Sequence, residues 1–201
     1  MPISGDLSSY FLFAQKIFQG GLPYKDFFIE YPPLSLPFFI IAYISPHFIL
    51  IHYLLIGLFL TLTAFLISKL GGNAFIFIAS VLTLGGLFWD RYDIFPAFFT
   101  FLAIYLLKKE KANIGAFVLG LAFLIKIYPI LLVPLFFKKI VFFLLPIIII
   151  LGMILFYDGN FLESFNYHKN RGIEIASIRA LPLLFSKNAI VEYKNNSWEI
   201  R

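Results

Sequence analysis

The stretch that decides the fold is Ile114–Phe137, IGAFVLGLAFLIKIYPILLVPLFF, in which Lys126 is the one charged residue of a long apolar run. A charge in lipid costs several kcal/mol, so an ionisable side chain at this depth lines a cavity, pairs with another charge, or serves a function. Pro129 and Pro134 remove backbone donors and kink or break a helix. We therefore predict two half-helices that form a hairpin turning near Lys126.

The composition predicts an integral membrane protein. Of the 201 residues, 61% are hydrophobic and 13% are charged, whereas soluble domains average about half and about a quarter. The predicted fold is all-α, a polytopic transmembrane helical bundle. The formal charge of +5 comes largely from lysines in short loops between apolar runs, which does not indicate nucleic-acid binding. The absence of cysteine excludes disulfides and thiolate chemistry.

Apolar periodicity divides a single predicted membrane domain, residues 1–201, into three parts. Residues 1–47 are predicted to be an outer segment with a surface helix at 6–18 and a short re-entrant helix, since Leu34–Ile44 falls short of the roughly 20 residues needed to span a bilayer. Residues 48–157 are predicted to form the transmembrane helices. Residues 158–201 are predicted to be an outer loop or tail.

The basic loops predict an orientation. Lysines accumulate on the cytoplasmic side of membrane proteins, so we expect loops 108–111 and 138–139 to lie inside. Both loops can do so when Ile114–Phe137 goes out and returns as a hairpin. This topology brings a set of ionisable residues to one outer face: Asp6, Glu30, Arg91, Asp93, Lys126 and the loop at 166–174.

Each of these residues also has an ordinary structural interpretation. Asp6 is an N-cap of the surface helix or a general base that takes a proton from a sugar hydroxyl. Asp93 is an N-cap as well. Arg91 either extends its charged head to lipid head groups or binds a phosphate through its planar fork. Lys126 either reaches the interface from a helix end or faces a cavity and balances a phosphate.

The remaining polar loops have similar alternatives. Asp26 and Glu30 either solvate their loop or pair with Lys25, and Tyr31 precedes a proline pair that stiffens the chain. The segment His168 to Glu174 is either a solvated loop or a site where Lys169 and Arg171 capture an anionic head group, with His168 handling a proton. Gly-rich nucleotide loops and histidine or acid pairs at metal spacing are absent from the sequence.

Five ordered stretches carry a family resemblance. They are Gly5-Asp6-Leu7 with Tyr10; Gly21 to Phe28 running into Glu30 to Leu34; Arg91-Tyr92-Asp93 with Pro96; Gly120-Leu121-Ala122 followed by Lys126 to Pro129; and Arg171 to Glu174 with Ser177. The first four resemble the GT-C class of multi-spanning glycosyltransferases, in particular glycosyltransferase family 87, which includes polyprenol-phosphate-mannose-dependent mannosyltransferases. The fifth is weaker, because Ala176 stands where family members tend to have an acid before the serine.

The resemblance implies a hexosyltransferase that takes mannose from a polyprenyl-phosphate donor, in the cell membrane, with its site on the outer face. It implies that Asp6 is the catalytic base and that the partners are membrane lipid, the polyprenyl-phosphate sugar and a glycan or lipid acceptor, with no cofactor and no metal. The implied donor-binding set is Asp26, Glu30, Tyr31, Arg91, Asp93, Lys126, Tyr128, His168, Arg171 and Glu174.

Two other functions fit the same residues. A non-catalytic membrane subunit would keep the lipid-phosphate-binding residues without performing transfer. A transporter would use an intramembrane lysine beside a broken helix. Family members usually have a transmembrane helix before the catalytic loop and more helices after the matched region, so we expect this chain to correspond to a partial-length member.

Overall fold

The structure is a computed structural model, and it describes residues 5–156, 158–160, 173–174, 182, 190–194 and 197–200. Internal contacts divide the chain into two compact units, Met1–Phe161 and Leu162–Arg201.

The first unit is helical, as predicted. Its described residues form eight α-helices, and two 3₁₀ segments cover Pro33–Ser35 and Tyr128–Lys139. The α-helices are α1 Asp6–Phe18, α2 Leu36–Tyr43, α3 Phe48–Lys69, α4 Ala74–Leu82, α5 Gly86–Trp89, α6 Ile94–Lys108, α7 Ala112–Ile125 and α8 Ile140–Phe156.

Two helical stretches are long and apolar enough to cross a membrane. Helix α3 has 22 residues and contains an 18-residue window with a mean hydropathy of 2.3. The stretch Tyr128–Phe156, which is the second 3₁₀ segment followed by α8, has 29 residues and contains a window with a mean hydropathy of 2.8. Large apolar side chains of the second stretch are exposed, Leu131 at 77% and Phe156 at 92%. An apolar surface of this kind is what a lipid-facing helix presents, whereas a soluble protein rarely exposes such contiguous patches.

The predicted hairpin in Ile114–Phe137 is confirmed. Helix α7 ends at Ile125, Lys126 has an extended backbone, and the 3₁₀ segment then runs back toward the beginning of α7. Phe136 returns to the side of Gly115, where a Cβ atom would lie 2.9 Å from its ring. Pro129 lacks the amide needed to continue an α-helix across the turn, which explains the break.

The lysine-rich loops lie together at one end of the unit. Lys108 donates a hydrogen bond from Nζ to the carbonyl oxygen of Leu70 at 3.1 Å, so the C-terminal ends of α6 and α3 meet there. An open cleft of about 390 Å³ lies at the same end and is lined by Lys111, Asn113 and Lys139, among others. This grouping is the one that the charge pattern predicted.

Helix α1 places its apolar stripe against the protein itself. Leu7, Tyr10 and Ala14 are buried, and they pack into a core that includes α2, α3 and the beginning of α6. The predicted helix at 6–18 is thus confirmed, but much of its apolar face is covered by aromatic side chains rather than left free for a bilayer. The helix stops before Gly20, whose φ of +91° favours glycine.

Helices α7 and α8 approach each other closely at Gly120. A Cβ atom at this position would lie 2.3 Å from the Phe143 carbonyl oxygen and 2.7 Å from Cγ of Pro146. Glycine is the residue that permits such a backbone approach. The contact packs α8 against α7, the helix that ends at Ile125.

The second unit contains a small sheet in its described residues. Strands β1 Ile173–Glu174, β2 Val191–Lys194 and β3 Ser197–Ile200 form an antiparallel sheet in the order β1-β3-β2. The predicted outer tail at 158–201 included no strand, so this sheet is an addition to the predicted all-α fold. Its sequence signal is the β-prone pair of runs, VEYK and SWEI, separated by the turn-forming dipeptide Asn-Asn.

Candidate functional site

A buried group of aromatic rings forms the base of the candidate site. Tyr10 stacks on Phe39 with ring centroids 4.2 Å apart, and its ring edge meets Tyr31 at 5.5 Å and Tyr92 at 5.7 Å. Tyr31 and Tyr92 are themselves 5.2 Å apart. We call Tyr10, Tyr31, Phe39 and Tyr92 the tyrosine cluster. Edge-to-face and offset-stacked rings of this kind stabilise a packed core.

Hydrogen bonds to main-chain carbonyl oxygens hold the tyrosine cluster in place. The Tyr24 hydroxyl donates to the carbonyl oxygen of Tyr31 at 2.6 Å, and the Tyr92 hydroxyl donates to the carbonyl oxygen of Ile125 at 3.4 Å. The second bond connects the beginning of α6 with the end of α7. The Asn160 amide donates to the Tyr24 carbonyl oxygen at 2.7 Å, which ties the chain beyond α8 to the same loop.

The three phenols are kept neutral by their surroundings. Burial, followed by the charge of Asp6, raises the pKa of Tyr10 well above its usual value. Burial also raises the pKa of Tyr92, with Asp93 as the next contributor, and that of Tyr31, with Tyr10 and Glu30 next. A low-dielectric environment disfavours the charged phenolate, so the hydroxyls remain available as donors.

Two ion pairs lie on this aromatic base, and both join residues that are distant in sequence. Arg91 Nε is 3.5 Å from Asp6 Oδ2, and Lys126 Nζ contacts Asp93 Oδ1. Lys126 also lies 5.4 Å from the centroid of the Tyr92 ring, a cation–π geometry. We call Asp6, Arg91, Asp93 and Lys126 the charged cluster. All four side chains remain between 35% and 44% exposed.

The N-cap interpretation of the two aspartates is wrong in its chemistry. Asp6 is the first residue of α1, whose N-cap is Gly5. Asp93 does occupy the N-cap position of α6, but its side chain makes no capping hydrogen bond. Each carboxylate contacts a cation instead.

The structure places the other predicted site residues in different surroundings. Asp26 Oδ2 accepts a hydrogen bond from the Leu22 amide at 2.8 Å, so its carboxylate closes a turn. Its neighbour Lys25 pairs with Asp158 at 3.8 Å, not with Asp26 or Glu30. Tyr128 begins the 3₁₀ segment two residues after Lys126, is 41% exposed, and lies close enough to Asp93 for the two side chains to interact electrostatically.

The remaining predicted site residues are Glu30 and three residues of the C-terminal tail. Glu30 lies near Tyr31 and Tyr92, since its charge contributes to raising the pKa of both phenols. Glu174 belongs to β1, where it pairs with Glu199. His168 and Arg171 lie outside the described residues. Across the described part of the chain, the His, Asp and Glu side chains form no group of three that could hold a metal ion.

No family model, curated protein or solved structure matches this chain. The resemblance to GT-C glycosyltransferases therefore stays a prediction, and the geometry of the charged cluster is the independent observation that bears on it.

Three members of the tyrosine cluster, Tyr10, Phe39 and Tyr92, were absent from the predicted donor-binding set. Tyr10 and Tyr92 lie at the centre of the site and are only 1% and 3% exposed. Their positions carry a local signal: Tyr10 is on the apolar stripe of α1, one helical turn after Asp6, and Tyr92 stands between Arg91 and Asp93. Which rings touch depends on contacts between distant segments, and no sequence pattern gives these.

Chemically, the charged cluster offers two cations and two carboxylates on one partly exposed surface. A guanidinium and an ammonium group side by side suit a phosphate, since arginine binds phosphate oxygens in a bidentate manner and lysine acts as a point charge. A carboxylate beside them can accept a proton from a hydroxyl.

Proposed function

We propose that this chain is a multi-pass membrane glycosyltransferase of GT-C type that transfers a hexose from a polyprenyl-phosphate donor. The family resemblance implies that the hexose is mannose. The observation that carries the proposal is the charged cluster. It joins Asp6 at the beginning of α1, Arg91 and Asp93 before α6, and Lys126 after α7. These are three of the stretches in which the resemblance was found.

The proposed location is the outer face of the cell membrane. The two long apolar helices support a membrane protein. The lysine-rich loops lie at one end of the first unit, whereas Lys126 and Asp93 lie at the other ends of α7 and α6. If the lysines remain inside, the charged cluster is at the outer surface. Membrane lipid, the lipid-linked sugar and a glycan or lipid acceptor are the proposed partners.

The proposed reaction is an in-line displacement at the anomeric carbon of the sugar. The Asp6 carboxylate takes the proton of the acceptor hydroxyl, whose oxygen forms the new bond to the anomeric carbon. The bond from that carbon to the phosphate oxygen breaks, and its electron pair leaves with the lipid phosphate. Arg91 and Lys126 stabilise the negative charge that builds up on this leaving group.

The test is transfer of radiolabelled mannose from polyprenyl-phosphate mannose in proteoliposomes containing the full chain, with octyl α-mannoside as the acceptor probe. General acid–base catalysis contributes typically about 100-fold to 10,000-fold, so Asp6→Asn should lower the rate by at least about 100-fold. Asp158→Asn is the matched control, because Asp158 is exposed, lies outside the charged cluster and makes the same change of charge.

Three outcomes separate the possibilities. Transfer by the wild type that is lost in Asp6→Asn supports the proposal. Equal transfer by both proteins removes Asp6 as the base. Binding of the donor without transfer by the wild type favours the non-catalytic lipid-phosphate-binding subunit instead.

A further inference from the structure

Both cations that would bind the donor phosphate are already engaged by carboxylates. Arg91 lies against Asp6 at 3.5 Å and Lys126 against Asp93. A phosphate that enters this surface therefore has to compete with two carboxylates for the same two cations.

The Arg91–Asp6 and Lys126–Asp93 ion pairs are exposed enough to separate at little energetic cost. Their side chains are between 35% and 44% exposed, and ion pairs exposed to this extent contribute little to stability. The Arg91–Asp6 ion pair joins Nε and Oδ2 at 3.5 Å, which is longer than the about 2.7–2.9 Å of a charge-assisted hydrogen bond. A phosphate offers several charged oxygens to the guanidinium fork, so the exchange of a carboxylate for a phosphate is favoured by the shorter hydrogen bonds that Arg91 can then donate.

We infer that the charged cluster works by exchange of partners: a lipid phosphate takes Arg91 and Lys126 from their carboxylates and thereby releases Asp6 to act as a base. This inference rests on the proposed function. It couples two events, since Asp6 Oδ2 stays paired with Arg91 Nε until the donor arrives. Asp6 would then accept a proton from an acceptor only when a sugar is in place to be attacked.

The tyrosine cluster allows the exchange to proceed without backbone movement. Tyr92 separates Arg91 from Asp93 in sequence, its ring lies beneath Lys126, and its hydroxyl bonds to the Ile125 carbonyl. These contacts fix the backbone of all three charged neighbours. The long side chains of Arg91 and Lys126 can then change partner by rotating about their own bonds, which takes picoseconds to nanoseconds for exposed groups.

The experiment measures binding of farnesyl phosphate, and separately of inorganic phosphate, to the full chain in phosphatidylcholine nanodiscs by calorimetry. Removing a competing carboxylate should tighten binding, so Asp93→Asn should lower the Kd of farnesyl phosphate by about threefold or more. Lys126→Gln should raise it by about tenfold. Asp158→Asn makes the same change in net charge away from the cluster and should leave the Kd unchanged.

A second variant protects the test against a folding defect in the first. Asp6→Asn should tighten binding through Arg91 in the same way, while it abolishes transfer in the assay above. A gain in affinity together with a loss of turnover in one variant is a combination that general damage to the structure does not produce.

The outcomes distinguish the exchange from the proposed function. If the wild type binds farnesyl phosphate and neither Asp93→Asn nor Asp6→Asn binds it more tightly, the exchange is overturned and the donor site stands. If neither the wild type nor a folded variant binds, both ideas fall. If inorganic phosphate binds as tightly as farnesyl phosphate and shows the same tightening, the exchange stands and the lipid-linked donor does not.

Discussion

The close approach of α7 and α8 at Gly120 gives a sharp test of the fold that supports the site. Gly120→Ala adds one methyl group where a Cβ would lie 2.3 Å from the Phe143 carbonyl oxygen. Real Cβ contacts essentially never fall below 3.0 Å. The nearest atom is backbone, so a side-chain rotation cannot relieve the contact and α8 has to move.

The expected cost follows from this geometry. The two helices must separate by about 0.7 Å to restore the shortest real contact, and overpacking of this kind typically costs about 1–3 kcal/mol. Alanine is a better helix former than glycine by about 1 kcal/mol, which offsets part of the cost. The net loss is therefore up to about 2 kcal/mol, and on the scale of soluble domains of this size, about 2–4 °C per kcal/mol, the Tm should fall by up to about 8 °C.

Gly57→Ala is the matched control, since it makes the same substitution within α3, where a Cβ meets nothing within 4 Å. We expect its Tm to be unchanged or slightly higher. In the assay, each purified variant is heated in the same detergent, and unfolding is measured as the loss of the fraction that stays monodisperse on size-exclusion chromatography. If Gly120→Ala is as stable as Gly57→Ala, the α7–α8 contact described above is wrong.

Two further predictions concern the phenols and the orientation. The pKa values of Tyr10, Tyr31 and Tyr92 are raised in the fold. The free energy of unfolding should therefore be fully present below pH about 10, where unfolded tyrosine titrates, and should fall as the pH rises above it. Alkaline unfolding curves of the wild type and Tyr10→Phe test this, and an equally steep fall in the variant would contradict it. Because the chain has no cysteine, each single-cysteine variant reports the position of one residue relative to the membrane. An impermeant maleimide should label Gln19→Cys on intact cells and Asn113→Cys only after permeabilisation. Equal labelling of both variants before permeabilisation would refute the orientation.

Those parts of the fold that depend on local chemistry could be predicted from the sequence. Pro129 ends the α-helical run. The lysines at 108–111 and 138–139 flank the segment Ile114–Phe137, and both loops can lie on the cytoplasmic side only if this segment turns back. The hairpin could therefore be predicted from residue type and from the positions of the charges. The end of α1 before Gly20 followed in the same way from glycine's conformational freedom.

The pairing within the site could not be predicted, because it depends on contacts between distant segments. Asp6 and Asp93 have sequence positions typical of helix caps, and only the packing of α1 against the segment before α6, with Tyr10 against Tyr92, brings Arg91 to Asp6. The same packing turns Tyr10 and Tyr92 from members of an apolar stripe and a polar loop into the buried centre of the site. Asp26 has a local contact that its sequence position did not indicate, since its carboxylate accepts a hydrogen bond from the nearby Leu22 amide; its role in binding the donor stays a prediction.

The positions of three charges relative to helix ends have a consequence for the open state of the cluster. Asp6 lies in the first turn of α1, Asp93 directly precedes α6, and Lys126 directly follows α7. Aligned peptide dipoles place partial positive charge at a helix N-terminus and partial negative charge at its C-terminus. Each helix end therefore favours the charge beside it even after the ion pairs separate, and the backbone itself compensates the carboxylates that a phosphate would displace.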